Sequence, residues 1–165
     1  MVVKDRKDYV HEENLGEPTP DRFYLGNCMG RYQVIKTLYC NYNDLTIAGG
    51  TKDENKYGIS PRIIIRRTGD SLCCTILEKR ALTESTLYSC IPISKEFHIK
   101  FLLTILNSKL YTYFIRRGMI TNKQAFPQVL MTDLQLLPIS ETPLSNQKQF
   151  IEKAPFGCKS NVSYS

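Results

Sequence analysis

No segment of this 165-residue chain is long and apolar enough to cross a bilayer as a helix. The nearest candidate, FHIKFLLTILNSKLYTYFI, carries Lys100, Asn107 and Lys109 inside it, each costly in lipid. The opening MVVKDRKDY lacks the apolar stretch of a secretory signal. Six cysteines are present, but none forms a Cys-x-x-Cys pair, and neither His11 nor His98 is close enough to complete a zinc pattern. These absences predict a soluble, cytoplasmic protein, not associated with membranes, whose cysteines are reduced and buried. The single Asn-x-Ser sequence, Asn161-Val162-Ser163, then reads as a chance match.

Chemical motifs are as scarce. There is no Gly-x-Gly-x-x-Gly and no Walker sequence, so nucleotide binding by those routes is unsupported. Asn-Pro-Pro-Tyr and Asp-Pro-Pro-Tyr, which in amino-methyltransferases hold the amino group of a flipped adenine, are also missing. His98 has no nucleophile indicated beside it, so both histidines read as surface or cap-proximal groups. Asp44 followed by Glu54-Asn55-Lys56 loosely matches the spacing of autonomous magnesium-dependent nucleases. Its Glu and Lys, however, fall in AGGTKDENKYG (48–58), which reads as a flexible loop, whereas magnesium needs rigid, desolvated carboxylates. The expectation is a chain with no catalytic residue, no metal site and no cofactor of its own.

What is present is an ordinary globular composition, 42% hydrophobic and 23% charged, in a length that fits one domain. A net charge of +6 draws the chain towards acidic partners such as nucleic acid. Residues 1–21 read as a charged lead-in, poorly ordered at its start. In PRIIIRRTGD (61–70) three isoleucines without alternation predict a strand covered on both faces. Thr68-Gly69-Asp70 supplies a turn, SLCCTIL returns as its partner strand, and TLYSCIPI follows as another.

From Ser94 the period becomes helical. Ser94 is the expected N-cap and Gly118 the C-cap. Ile99, Leu102, Leu103, Leu106, Leu110, Tyr113 and Phe114 form one apolar stripe. Thr132-Asp133-Leu134-Gln135 has capping-box spacing for a short turn. Ser145 is expected to cap a second helix that Pro155 and Gly157 cut short. The fold class is α+β: a twisted, largely antiparallel β-sheet packed with a long amphipathic helix, ending in the start of a second helix.

Basic groups gather at the edges of these apolar elements: Arg31, Arg62, Arg66, Arg67, Arg116, Arg117 and Lys123. Arginines on a rigid sheet can reach phosphates or the O6/N7 edge of guanine, while Thr68 and Asp70 add a hydroxyl and an acceptor. The DNA-contacting set inferred from charge and placement is Arg31, Tyr32, Arg66, Arg67, Thr68, Asp70, Arg116, Arg117 and Lys123. Arg66 and Arg67 leave their strand on opposite faces, so one is expected to reach DNA while the other braces the turn. The structural alternatives are that Arg62 or Arg66 pairs with Glu78 or Glu84, and that Arg116-Arg117 only complements a helix dipole.

In order, GNCMGRYQV (26–34), PRIIIRRTGD, TLYSCIPI, FLLTILNSKLYTYFIRR, FPQVLMTDLQLLPI and NQKQFIEK resemble the TaqI-like C-terminal specificity domain. This is the target recognition domain of adenine-specific DNA methyltransferases and restriction-modification enzymes, related to half of a type I specificity subunit. The resemblance implies a double-stranded DNA partner and a separate methyltransferase or restriction domain or subunit, with S-adenosylmethionine bound in that methyltransferase part. It divides the chain into a lead-in (1–21), the recognition domain (22–144), the start of a truncated spacer helix (145–154) and a tail (155–165). The chain is then a non-catalytic fragment of a larger enzyme; the alternative is a protein-interaction subunit that docks on a separate catalytic subunit.

Overall fold

The computed structural model describes residues 1–16, 18–119 and 127–156. In chain order its elements are β1 (Val2–Val3), α1 (Arg6–Tyr9), β2 (Asp21–Tyr24), β3 (Leu38–Cys40), β4 (Ile47–Gly49), α2 (Glu54–Gly58), β5 (Arg62–Arg66), β6 (Cys74–Leu77), β7 (Leu82–Thr83) and β8 (Leu87–Cys90). The helices α3 (Ile99–Leu106), α4 (Lys109–Phe114), α5 (Met131–Gln135) and α6 (Leu144–Lys153) follow, with a wide π turn at Ile115–Met119 after α4.

The fold is α+β, with its strands in three small sheets rather than one: β1-β4, β3-β2-β7 and β6-β5-β8. All pairings are antiparallel except that of β2 with β7. β5 is the centre of the third sheet and has a core on each side. Ile64 joins Phe23, Met29, Leu38 and Leu82, while Ile63 and Ile65 join Phe101, Leu103, Tyr111 and Val129. This explains the unbroken isoleucine run: each face is buried, at roughly 1.5–3 kcal/mol per side chain. The expected hairpin with β6 forms as read, and β8 covers the other edge of β5.

Three expectations are corrected. The lead-in is part of the fold: β1 pairs with β4, Val3 is buried, and Arg6 meets the buried Glu84 at 2.6 Å. The 48–58 segment is not a loop throughout, because β4 and α2 occupy much of it and Tyr57 is buried. The long helix is interrupted. Asn107 is buried and its amide brackets the backbone of Cys74, accepting from its N–H at 2.9 Å and donating to its carbonyl at 2.9 Å. Ser108 then caps α4 by accepting from the Tyr111 N–H.

That break rotates the helical phase. Tyr111 and Ile115 are buried, whereas Leu110 and Tyr113, expected on the core stripe, are exposed. The helix starts later than expected, at Ile99, with His98 Nδ1 accepting from the Lys100 N–H; Ser94 instead closes a local turn onto the Glu96 N–H. At the other end the π turn carries the chain through Gly118 instead of stopping there.

Helix α6 begins at Leu144, with Pro143 at its cap instead of Ser145, and lies back on α3. Fully buried Gln147 fixes it there. Its side chain accepts from the His98 N–H at 2.8 Å and donates to the Glu96 and Thr142 carbonyls at 2.7 Å each. Among the described residues no helix is long and apolar enough to cross a membrane.

Candidate nucleic-acid interface

Three local devices bring charge to one corner of the third sheet. The first is the turn Gly30–Gln33, closed by the Gly30 N–H on the Gln33 carbonyl and anchored by the Tyr32 N–H on the Cys74 carbonyl, each 2.9 Å. Tyr32 adopts a left-handed conformation there (φ 66°), rare for a residue with a side chain. This leaves Arg31 exposed at the tip, 3.2 Å from the Thr112 hydroxyl to which it donates.

The second is the end of the β5–β6 hairpin. Gly69 takes φ +130°, which strains any other residue, and a Cβ there would meet the Arg66 guanidinium at 3.5 Å. Arg66 donates from Nε to the Thr68 carbonyl at 2.9 Å, holding the turn against its own strand. Backbone bonds from Gly69 to Pro127 and from Val129 to Arg67 clamp the same turn from the far side of the fold. The third is the stretch from α4 into the π turn, whose Thr112 and Arg116 lie one turn apart. Arg116 pairs with Asp70 at 2.8 Å, both groups more than half exposed.

Arg31, Arg66, Thr68, Asp70 and Arg116 therefore gather around one turn. The Cys73 thiol beneath them reports the same convergence: burial pushes it up, while the Arg66 and Arg31 charges pull against that rise.

The other expected residues do not join them. Tyr32 is half-buried with its ring edge-on to Phe156, 5.7 Å between centroids. Arg67 is also half-buried; it donates to the Ser85 carbonyl at 2.7 Å and stacks on Tyr88. Both hairpin arginines thus donate to backbone carbonyls, Arg66 within the turn and Arg67 to Ser85. Arg117 lies over Tyr113. Lys123 lies outside the described residues. Among the described residues Arg62 pairs with no acid: it is fully buried and donates to the carbonyls of Tyr57, Ile59 and Ala81.

Thr112 and Gln128, which bridges Thr68, were not singled out from sequence. Thr112 stands four residues before Arg116 on the polar side of the helix, a usable signal once the break is placed.

The nuclease spacing is not assembled into a site. Glu54 is exposed and paired with Arg80, and Lys56 pairs with Asp53. Among the described residues no group of three or more His, Cys, Asp or Glu side chains is placed to hold a metal ion.

The sequence matches the family model of the TaqI-like C-terminal specificity domain over residues 22–139, more than half of the chain. The chain belongs to that family. No curated protein matches it. The matched range starts in β2 and ends just after α5, so the specificity domain contains every element that builds the arginine corner. It also contains Leu106-Asn107-Ser108, whose role here is to end one helix on the β6 backbone and start the next. The family is that of DNA-recognition modules in restriction-modification systems.

Proposed function

We propose that this chain reads a short duplex DNA sequence in the cytoplasm and leaves the chemistry to a methyltransferase or restriction partner. In that partnership S-adenosylmethionine belongs to the methyltransferase part. The observation that carries the reading is the arginine corner: three guanidinium groups and the Thr68–Asp70 turn on elements fixed by backbone hydrogen bonds. Phosphate contacts set register, and Arg31, Thr68, Asp70 and Arg116 are the corner groups exposed enough to reach base edges. Fluorescence anisotropy with duplex DNA at low and moderate salt tests this. Binding should weaken linearly in log salt, and Arg31→Ala and Arg116→Ala should each reduce affinity. No binding at low salt removes the reading.

A second surface favours docking on a catalytic subunit. An apolar cavity of about 260 Å³ opens between β5, β8 and the helices, lined by Ile63, Ile65, Leu102, Leu106, Met131 and Leu134. Beside it Ile139 is exposed and β8 is an edge strand. On this reading Ile139→Asp abolishes co-purification with the catalytic subunit and leaves DNA binding intact.

A further inference from the structure

Away from the corner, Arg22 on β2 and Lys79 just after β6 are exposed cations with no ion-pair or hydrogen-bond partner among the described residues. They line two adjoining grooves together. In the first, of about 600 Å³, the neighbouring Arg80 is already neutralised. It pairs with Asp21 and Glu54 and lies over the Tyr42 ring. The second groove, of about 440 Å³, runs between β6 and residues 34–37. Arg22, Lys36 and Lys79 line it against one acid, Glu78. Lys36 is tied to Glu12, so the net positive charge of this groove comes from Arg22 and Lys79.

The groove continues the seam that begins at the arginine corner. The Tyr32 N–H binds the Cys74 carbonyl at the corner end of β6, and Ile35 lines the groove with Ile76 and Leu77 at the other. The run from Cys73 to Leu77 covers about 13 Å at the rise of a β-strand. The corner and the groove therefore lie towards opposite ends of β6, and a duplex laid along that strand meets both.

We propose that the groove between β6 and residues 34–37 is a second DNA-contacting surface, in which Arg22 and Lys79 hold phosphates of the duplex read at the arginine corner. The proposal rests on the DNA-reading assignment above. These contacts carry no sequence information, so they act equally on every duplex. Glu78 opposes them.

The test is anisotropy of the full chain on several duplexes of different sequence, across a salt series. The Arg22→Ala, Lys79→Ala double variant should lose affinity equally on all of them, and its log K against log salt slope should fall by about 2. Glu78→Gln should bind more tightly than the unmodified chain. Thermal unfolding should be unchanged, since neither cation has a partner to lose; should Arg22→Ala not fold, Lys79→Glu alone carries the test with the same direction. An unaltered slope while the unmodified chain binds duplex overturns this proposal and leaves the DNA-reading assignment standing. Failure of the unmodified chain to bind at low salt overturns both.

Discussion

Arg62 and Arg66 share one face of β5 with Ile64 between them, yet their surroundings separate their roles. Arg62 is sealed from water and holds three carbonyls from the 57–59 and 81 segments; burial lowers its pKa without removing its charge. Arg62→Ala leaves the Ile59 and Ala81 carbonyls without their donor and opens a cavity, so urea denaturation should show a loss of about 3 kcal/mol or more. Arg31→Ala removes an exposed side chain with one hydroxyl contact. Its stability should stay within about 0.5 kcal/mol of the parent while duplex affinity falls. Asp70 supplies the converse case. Its exposed pair with Arg116 contributes little to stability, but on the proposed DNA-reading function it occupies a cation offered to the duplex. Asp70→Asn should raise affinity for random duplex and lower discrimination between sequences, read as the ratio of the two dissociation constants.

Between α3 and α4 the decisive group is Asn107. Its amide satisfies the outward N–H of Cys74 on β6, which has no strand neighbour there. Asn107→Ala should cost about 2 kcal/mol and selectively speed hydrogen exchange at the Cys74 amide; uniform acceleration across α3 would instead mean helix packing was lost. This residue also marks where sequence reading stops. The isoleucine run and the turn after it are local patterns, and each gave its element correctly; the apolar period from Ile99 gave helix but not its break. Asn107, Gln147 and β4 act through partners far away in the chain, at Cys74, Glu96 and β1. Local periodicity therefore read the break as continuous helix and β4 as loop. The same limit applied to the candidate site. Charge and turn chemistry selected Arg31, Arg66, Asp70 and Arg116, but side-chain direction sent Arg67 and Tyr32 into packing contacts instead.

At the scale of the molecule, two cores meet across β5, and four cysteines are buried within or beside them: Cys28, Cys40, Cys73 and Cys74. Cys90, by contrast, is exposed, against the expectation that all would be buried. Burial pushes the Cys40 thiol up to about 12 from 9.0, and the Cys74 thiol well above its ordinary value. A thiol raised in the folded state keeps a proton that the unfolded chain releases. Stability is therefore complete below pH about 9 and falls as pH rises from there towards 12, by about 1.4 kcal/mol per unit from Cys40 alone. Urea midpoints measured at rising alkaline pH should decline along that course. Cys40→Ala should be less stable at neutral pH, through lost packing, yet lose stability less steeply above pH about 9. An equal slope in parent and variant would show that this thiol is not the group being titrated. Because β5 carries side chains into both cores, the decline should appear as one transition at the 23–40 region and at α3 alike. Separate midpoints for the two would mean that the arginine corner, which lies where they join, is held by one core only.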